Sequence, residues 1–343
     1  MSQDKFIQID EEGYLLADGV RVTDPEYGHL LLSNLVREEK GRFQTSVQNH
    51  TVWVEAFDEP LVALQIDKKE GQDWELLFPY GFRAAFGFDS LSLDEWDRFH
   101  GLTRAGIPFV LSRAAQAEFF NLLEDYDDET IVVNGNRLEI PTWLIAEPEA
   151  NKEAFWTGKY NENFMPWDLE EPSPALVDAL AQLKIPKSRI LVPGCGTGND
   201  AAYLAKQGHL VTAFDISPNA IEIAKQRYGQ IQQLEFLQAD VFQLPDSYTS
   251  SFDIVFEHTC YCAVNPTRRN ELMRVWKRVL IDGGHLLGVF FTMDRRSGPP
   301  FGGSEWEIRQ RLKKDFDFLY WTRWRRSVPG RQGAEMILYA RKL

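Results

Sequence analysis

The stretch Ile190-Leu-Val-Pro-Gly-Cys-Gly-Thr-Gly-Asn-Asp200 restricts the fold more than any other part of this sequence. Residues 190–192 are a short apolar run of the kind that forms a buried strand. Gly194, Gly196 and Gly198 follow at alternate positions. Asp200-Ala-Ala-Tyr-Leu-Ala-Lys then opens a helical pattern, with Asn199 or Asp200 as its expected N-cap. A strand, a glycine turn and a helix in succession present backbone N–H groups to a ligand, and a Cβ in the turn would block that approach. A second apolar run, 210–214, ends in Asp215, 17 residues after Gly198. An acidic side chain at the tip of that strand can accept from both ribose hydroxyls of an adenosine-type ligand. The turn reads G-C-G-T-G, which is not the dinucleotide fingerprint G-x-G-x-x-G.

Strand and helix patterns alternate through the rest of that half. A helix over 172–183 leads into the glycine stretch. Beyond it come a helix over 218–228, a strand over 234–239, a strand over 253–256, a helix over 268–280 and a strand over 285–291. A further helix over 305–314 precedes two antiparallel strands, 318–324 and 334–341, around Pro329-Gly330. This order predicts an α/β fold, a mostly parallel Rossmann-like sheet with helices on both faces and an antiparallel C-terminal strand. Ligands of such sheets bind at the carboxyl ends of the strands. The residues there are Gly194, Cys195, Gly196, Gly198, Asp215 with Ile216, Asp240 with Val241, and the run from Glu257 to Cys262. Asp240 is placed to accept from an adenine amine, and Val241 to donate from its backbone.

Charge divides the chain. Residues 1–150 hold 12 basic and 29 acidic side chains, whereas the remainder is close to neutral. Such an acidic first half argues against a nucleic-acid partner for it. No apolar run approaches the roughly 20 residues of a membrane span. Residues 1–5 lack the layout of a secretory leader. Three cysteines form no disulfide framework, so a cytoplasmic location is expected. Residues 1–148 read as a smaller, β-rich α+β domain of open function, and 149–343 as the nucleotide-binding domain. Expected strands in the first are 13–17, 51–57, 61–67 and 74–78. A helix is expected over 92–102, from Leu93, Trp96, Phe99 and His100 at helical spacing, and another over 114–123. Asn134-Gly135 between two alternating runs predicts a type I′ hairpin. His29, His50 and His100 have no ligand-spaced partner in sequence. The polar segment 146–153 is the expected boundary.

Past that boundary the sequence resembles the thiopurine S-methyltransferase superfamily, which includes halide and thiocyanate methyltransferases. The resemblance rests on Trp156 and Trp167-Asp168, on Pro193 before the glycine turn, on Cys262-Ala-Val-Asn-Pro-Thr-Arg-Arg269 and on the Gly298-Pro-Pro-Phe301 loop. It covers residues from about 150 to 343 and none of the first domain. It implies S-adenosylmethionine as cofactor and a small-molecule acceptor. Trp156 and Trp167 match the aromatic residues over the cofactor, Gly194 the loop contact, Asp215 the ribose ligand, and Asp240 and Val241 the adenine contacts. Arg269 matches an arginine held near the active site. The chain departs from the plant halide-type pattern in carrying Glu257-His258 before Cys-Tyr-Cys. Aromatic faces attract a sulfonium cation, so the two tryptophans read either as a lid or as a packing segment. The implied reaction is in-line displacement by a soft sulfur, selenium or halide nucleophile, with Arg269 holding an anionic acceptor and His258 available to relay a proton. Two other readings stand: methylation of oxygen or nitrogen with Glu257 or His258 as base, and a sensor that binds the cofactor without turnover. Cys260 and Cys262 lack the further ligands of a zinc site, so no metal is expected.

Overall fold

The computed structural model describes residues 6–39, 41–47, 50–68, 74–127, 129–142 and 145–343. The reading of residues 1–5 lies outside these. The chain forms two compact units.

The second unit comprises Ala146–Thr292, Ser297–Gly303 and Ile308–Leu343. Helices α1 (Glu153–Asn161) and α2 (Pro174–Leu183) precede β1 (Arg189–Pro193), α3 (Asn199–Lys206), β2 (Leu210–Asp215), α4 (Pro218–Tyr228) and β3 (Leu234–Gln238). Next are β4 (Phe252–His258), α5 (Arg269–Val279), β5 (Leu280–Phe291), α6 (Glu305–Leu312), β6 (Phe316–Trp324) and β7 (Glu335–Lys342). The sheet runs β3-β2-β1-β4-β5-β7-β6. Its first five strands pair in parallel, and β7 is antiparallel to both its neighbours. Helices cover both faces, so β1 is apolar without alternation: Ile190, Leu191 and Val192 are all buried. On α5, Leu272, Val275, Trp276 and Val279 recur at helical spacing and are buried, which seats that helix on one face of the sheet. The order reverses between β1 and β4, and ligands of open sheets bind at such a reversal.

One detail of the glycine turn differs from expectation. The N-cap of α3 is Gly198, at φ 88°, and neither Asn199 nor Asp200. Both fall inside the first turn because their side chains bond to distant partners. The Asn199 amide donates to Asp168, and Asp200 accepts from the Ser173 N–H.

The first unit comprises Met1–Ile145 together with Met293–Arg296 and Ser304–Glu307. Its largest sheet has six strands, with Phe6–Ile9 parallel to His50–Ala56 at its centre. The hairpin at Asn134-Gly135 forms with both residues at positive φ, as a type I′ turn requires. The expected helix over 92–102 is instead a strand pair, Ser92–Leu93 antiparallel to Phe99–Leu102. Asp94 decides this locally: its carboxylate accepts from the backbone N–H groups of Trp96 and Arg98, a turn that competes with helix. The single strand expected over 61–67 is two, Leu61–Ala63 and Gln65–Lys68, in different sheets. His100 is fully buried, between Glu59 and Asp94.

Candidate active site

Each glycine of the turn meets a different neighbour. Gly194, Gly196 and Gly198 all have positive φ. A Cβ on Gly194 would stand 3.0 Å from the Cβ of Cys260, one on Gly196 3.2 Å from the Tyr160 hydroxyl, and one on Gly198 2.7 Å from the Phe236 ring. The first two contacts bring the loop after β4 and helix α1 against the turn. The third locks the turn onto β3.

Asp215 ends β2 beside this turn. Its Oδ2 accepts from the Gly196 N–H at 3.0 Å and its Oδ1 from the Ser217 N–H at 2.9 Å. Burial pushes this carboxyl above the usual carboxylate range, and the two N–H groups pull it back only in part. Ile216 follows on the same bend, and its carbonyl accepts from the Gln238 side chain at 3.4 Å. Asp240 closes the next strand. Its carboxylate accepts from the Phe242 N–H and the Gln243 amide, so it caps the short turn that begins with the buried Val241.

The aromatic segment lies over the same turn. Trp156 and Tyr160 occupy α1, one helical turn apart. Trp167 meets Trp156 edge-on at 5.5 Å between centroids, and its Nε1–H points to the Tyr160 hydroxyl at 3.4 Å. Neighbours fix Trp167 closely. Its carbonyl accepts from Arg331 at 2.9 Å, while Asp168 accepts from Asn199 at 2.6 Å and pairs with Arg227 at 3.2 Å. The sequence reading gives no place to Tyr160 or Arg331, and Asp168 enters it only beside Trp167 in the Trp-Asp motif. Tyr160 stands four residues after Trp156, a spacing that places both on one helix face. Arg331 pairs locally only with Glu335, four residues on at 3.6 Å; Trp167 and His258, which tie it to the site, are 164 and 73 residues away and leave no signal in the sequence.

His258 ends β4 inside this network. Its Nδ1 bonds to Asp200 Oδ2 at 2.6 Å, and its Nε2 faces Arg331 at 3.4 Å and Glu335 at 3.9 Å. Burial alone would lower its pKa, but the adjoining Asp200 carboxylate outweighs burial and holds the imidazole above its ordinary value.

Glu257 precedes it and is buried. Its Oε1 accepts from the Tyr261 N–H at 2.9 Å. Its Oε2 is buried without a hydrogen-bond partner among the described residues. Burial pushes this carboxyl up to about 7, against the pull of that N–H and of the nearby His258 and Arg269 charges. Arg269, at the start of α5, is also fully buried. It donates to the Gly302 carbonyl at 2.8 Å and stacks on the Tyr261 ring at 4.3 Å, while the Phe301 N–H donates to the Cys262 carbonyl at 2.7 Å. These contacts join the loop after β4 to the loop 297–303. Cys195 in the glycine turn and Cys260 are raised well above a free thiol by burial, and Cys262 is pushed up to about 12. All three are therefore protonated and unreactive near neutral pH. Among the described residues no cluster of three His, Cys, Asp or Glu side chains is arranged to hold a metal, and no helix is long and apolar enough to cross a membrane.

Residues 151–329 match the family model for thiopurine S-methyltransferase. The chain belongs to the thiopurine S-methyltransferase family. Among its curated relatives, a probable thiol methyltransferase 2 of Arabidopsis thaliana is 31% identical over 44% of this chain and 67% of its own. A thiocyanate methyltransferase 1 of Brassica oleracea is 29% identical over 49% of this chain and 76% of its own. A thiopurine S-methyltransferase of Shewanella baltica (strain OS185) is 27% identical over 48% and 83%. The protein is therefore an S-adenosylmethionine-dependent S-methyltransferase, with its family half in the second unit. The residues present fit that cofactor. The glycine turn leaves no Cβ over its backbone, a carboxylate stands at the tip of the second strand, and the Tyr160 hydroxyl and Trp167 Nε1 lie nearest Gly196, with the Trp156 ring beside Trp167.

Proposed function

We propose that this methyltransferase acts on a small, soft nucleophile such as hydrosulfide, a thiol, a selenium species, a halide or thiocyanate. The reading rests on the state of the two ionisable groups at the end of β4. His258 is held at both ring nitrogens by Asp200 and Arg331, and Glu257 is buried. His258 is therefore not free to take a proton from an entering alcohol or amine. Thiolates, selenolates and halides are already anionic near neutral pH and need no base.

S-adenosylmethionine, when bound, supplies a methyl carbon activated by its positive sulfur. With the cofactor held there, the acceptor's lone pair would form the new bond to that carbon as the carbon–sulfur bond breaks, and the departing electron pair would neutralise the sulfonium. No proton moves when the acceptor enters as an anion. In this reading Asp215 binds the ribose hydroxyls, while Asp240 and Val241 hold the adenine. Gly194, Cys195, Gly196, Gly198 and Ile216 give close backbone approach, and Trp156 with Trp167 shields the sulfonium. Arg269 acts from behind the loops it joins, as a buried positive charge that favours an anionic acceptor. His258 is a positioning residue for Trp167 through Arg331. Positioning and exclusion of water supply the catalysis.

The unpaired Glu257 Oε2 favours a second reading, in which this carboxylate is the base for an oxygen or nitrogen acceptor. Glu257→Gln separates the two. A loss of about 10²- to 10⁴-fold in kcat, confined to amine or alcohol acceptors, assigns Glu257 as base. For the first reading, rates with a series of thiols follow the fraction of thiol ionised in solution and show no enzyme group with a pKa near 7. An enzyme-borne base near 7 in every profile contradicts it.

A further inference from the structure

The loop 297–303 belongs to the second unit, yet the four residues on each side of it, Met293–Arg296 and Ser304–Glu307, belong to the first. Inside the first unit these two tetrapeptides are joined by a continuous series of polar contacts. Arg296 stands 3.5 Å from Glu59, and Glu59 meets His100 Nδ1 at 3.0 Å. His100 Nε2 meets Asp94 at 3.0 Å, and Asp94 meets Arg98 at 2.8 Å. Arg98 pairs with Asp58 at 2.5 Å, and Asp58 accepts from the Ser304 hydroxyl at 3.1 Å. The series thus starts at one end of the loop and finishes at the other.

Further contacts hold each end. Asp294 pairs with Arg37 at 2.7 Å, and its carbonyl oxygen lies 1.9 Å from where a Cβ on Gly41 would be. Trp306 donates its N–H to the Phe57 carbonyl, meets Trp96 edge-on at 4.9 Å and carries the Arg98 guanidinium 3.2 Å above its ring. The carboxylates Asp58, Glu59, Asp94 and Asp294 face Arg37, Arg98, Arg296 and His100, so charges balance four to four with His100 protonated. The carboxylates of these pairs are buried although the arginines reach solvent, so removing a cation leaves a buried carboxylate orphaned, which is unfavourable.

We propose that the series from Arg296 through His100 and Arg98 to Ser304 is a brace for the loop 297–303: it ties the loop's two ends together and so restricts the loop's motion, on which acceptor binding depends. The proposal rests on the soft-nucleophile reading above and adds to it that the two loops joined through Arg269, 297–303 and the one after β4, face the acceptor. Arg98, His100 and Gly41 are positioning residues, since none lies in the second unit.

The test uses the full-length chain and reads hydrogen exchange at the amides of Ser297, Gly298, Phe301, Gly302 and Gly303, with the amides of 190–200 as internal reference. Arg98→Ala and Gly41→Ala are predicted to speed exchange at the loop by about tenfold or more while the reference stays fixed, with Arg98→Lys in between. With hydrosulfide as probe, the same variants raise KM about tenfold and change the affinity for S-adenosylhomocysteine by less than about twofold. Arg21→Ala, which removes an exposed ion pair elsewhere in the first unit, leaves both readouts at wild type. Where Arg98→Ala does not fold, Ser304→Ala removes one link, and exchange at 297–303 still rises above wild type. Loop exchange unchanged in the folded variants overturns the proposal, as does equal loss at 190–200 and in S-adenosylhomocysteine affinity. A wild-type protein that does not turn over hydrosulfide, but whose variants loosen the loop, counts against the acceptor reading and leaves the brace standing.

Discussion

Asp215 carries its charge in a place where charge is unfavourable, and two backbone N–H groups compensate only in part. A cofactor ribose supplies two more donors. Asp215→Ala is therefore predicted to weaken S-adenosylhomocysteine binding by about 1.5–3 kcal/mol, the worth of charged hydrogen bonds, as read by titration calorimetry. An unaltered affinity removes the ribose role. Gly198→Ala acts on stability instead, because its φ of 88° and the Phe236 ring 2.7 Å away both oppose a Cβ. About 1–3 kcal/mol of destabilisation is expected from chemical denaturation, and no change contradicts the packing argument. The glycines and Asp215 were legible in sequence because strand, turn and acidic residue are neighbours along the chain. Arg331 was not, since its contacts to Trp167 and His258 exist only after the sheet has formed.

Among the elements, the turn at Asp94 shows where periodicity fails. Leu93, Trp96 and Phe99 sit at helical spacing by coincidence, and one carboxylate that bonds two backbone N–H groups outweighs it. The long apolar strands and the α5 stripe were legible because burial on a two-sided sheet imposes its pattern directly. Helix α1 and the aromatic segment are held by Arg331 and Asn199, so Arg331→Met is predicted to lower S-adenosylhomocysteine affinity by about tenfold, and to lower the melting temperature as well because buried Glu335 loses its partner. Equal affinity in that variant shows that Trp167 needs no such support.

For the whole molecule the buried ionisable groups set a pH dependence. Folding raises His100 and His258 above their ordinary 6.5, Glu257 to about 7 and Asp294 to about 6. Burial opposes the two histidines, and their carboxylate partners outweigh it; burial itself raises the two carboxyls. In each case the native state holds its proton more tightly than the unfolded chain. The stability this gives is fully present below the ordinary values and is lost as pH rises through the folded ones. Glu59 and Asp94 are lowered despite their burial, because His100 bonds to both, so their share is lost only in acid, as pH falls through their depressed values. The melting temperature is predicted to fall between about pH 5 and about pH 7, as Asp294 and Glu257 lose their protons, and to go on falling as the two histidines lose theirs; a flat or rising profile contradicts the assignment. At this scale the sequence marked an acidic first half and a methyltransferase second half. The return of 293–296 and 304–307 to the first unit was illegible, because ion pairs between residues hundreds of positions apart leave no periodic trace.

In the proposed reaction the methyl group goes to a soft nucleophile without an enzyme-borne base. The most direct test is steady-state release of S-adenosylhomocysteine by the full-length protein, with hydrosulfide, thiols, thiopurines, selenite, iodide, thiocyanate and simple amines offered in turn. Multiple turnovers with one or more of the sulfur, selenium or halide acceptors, and none with amines, are expected from transfer to a soft nucleophile. Turnover confined to amines would contradict it.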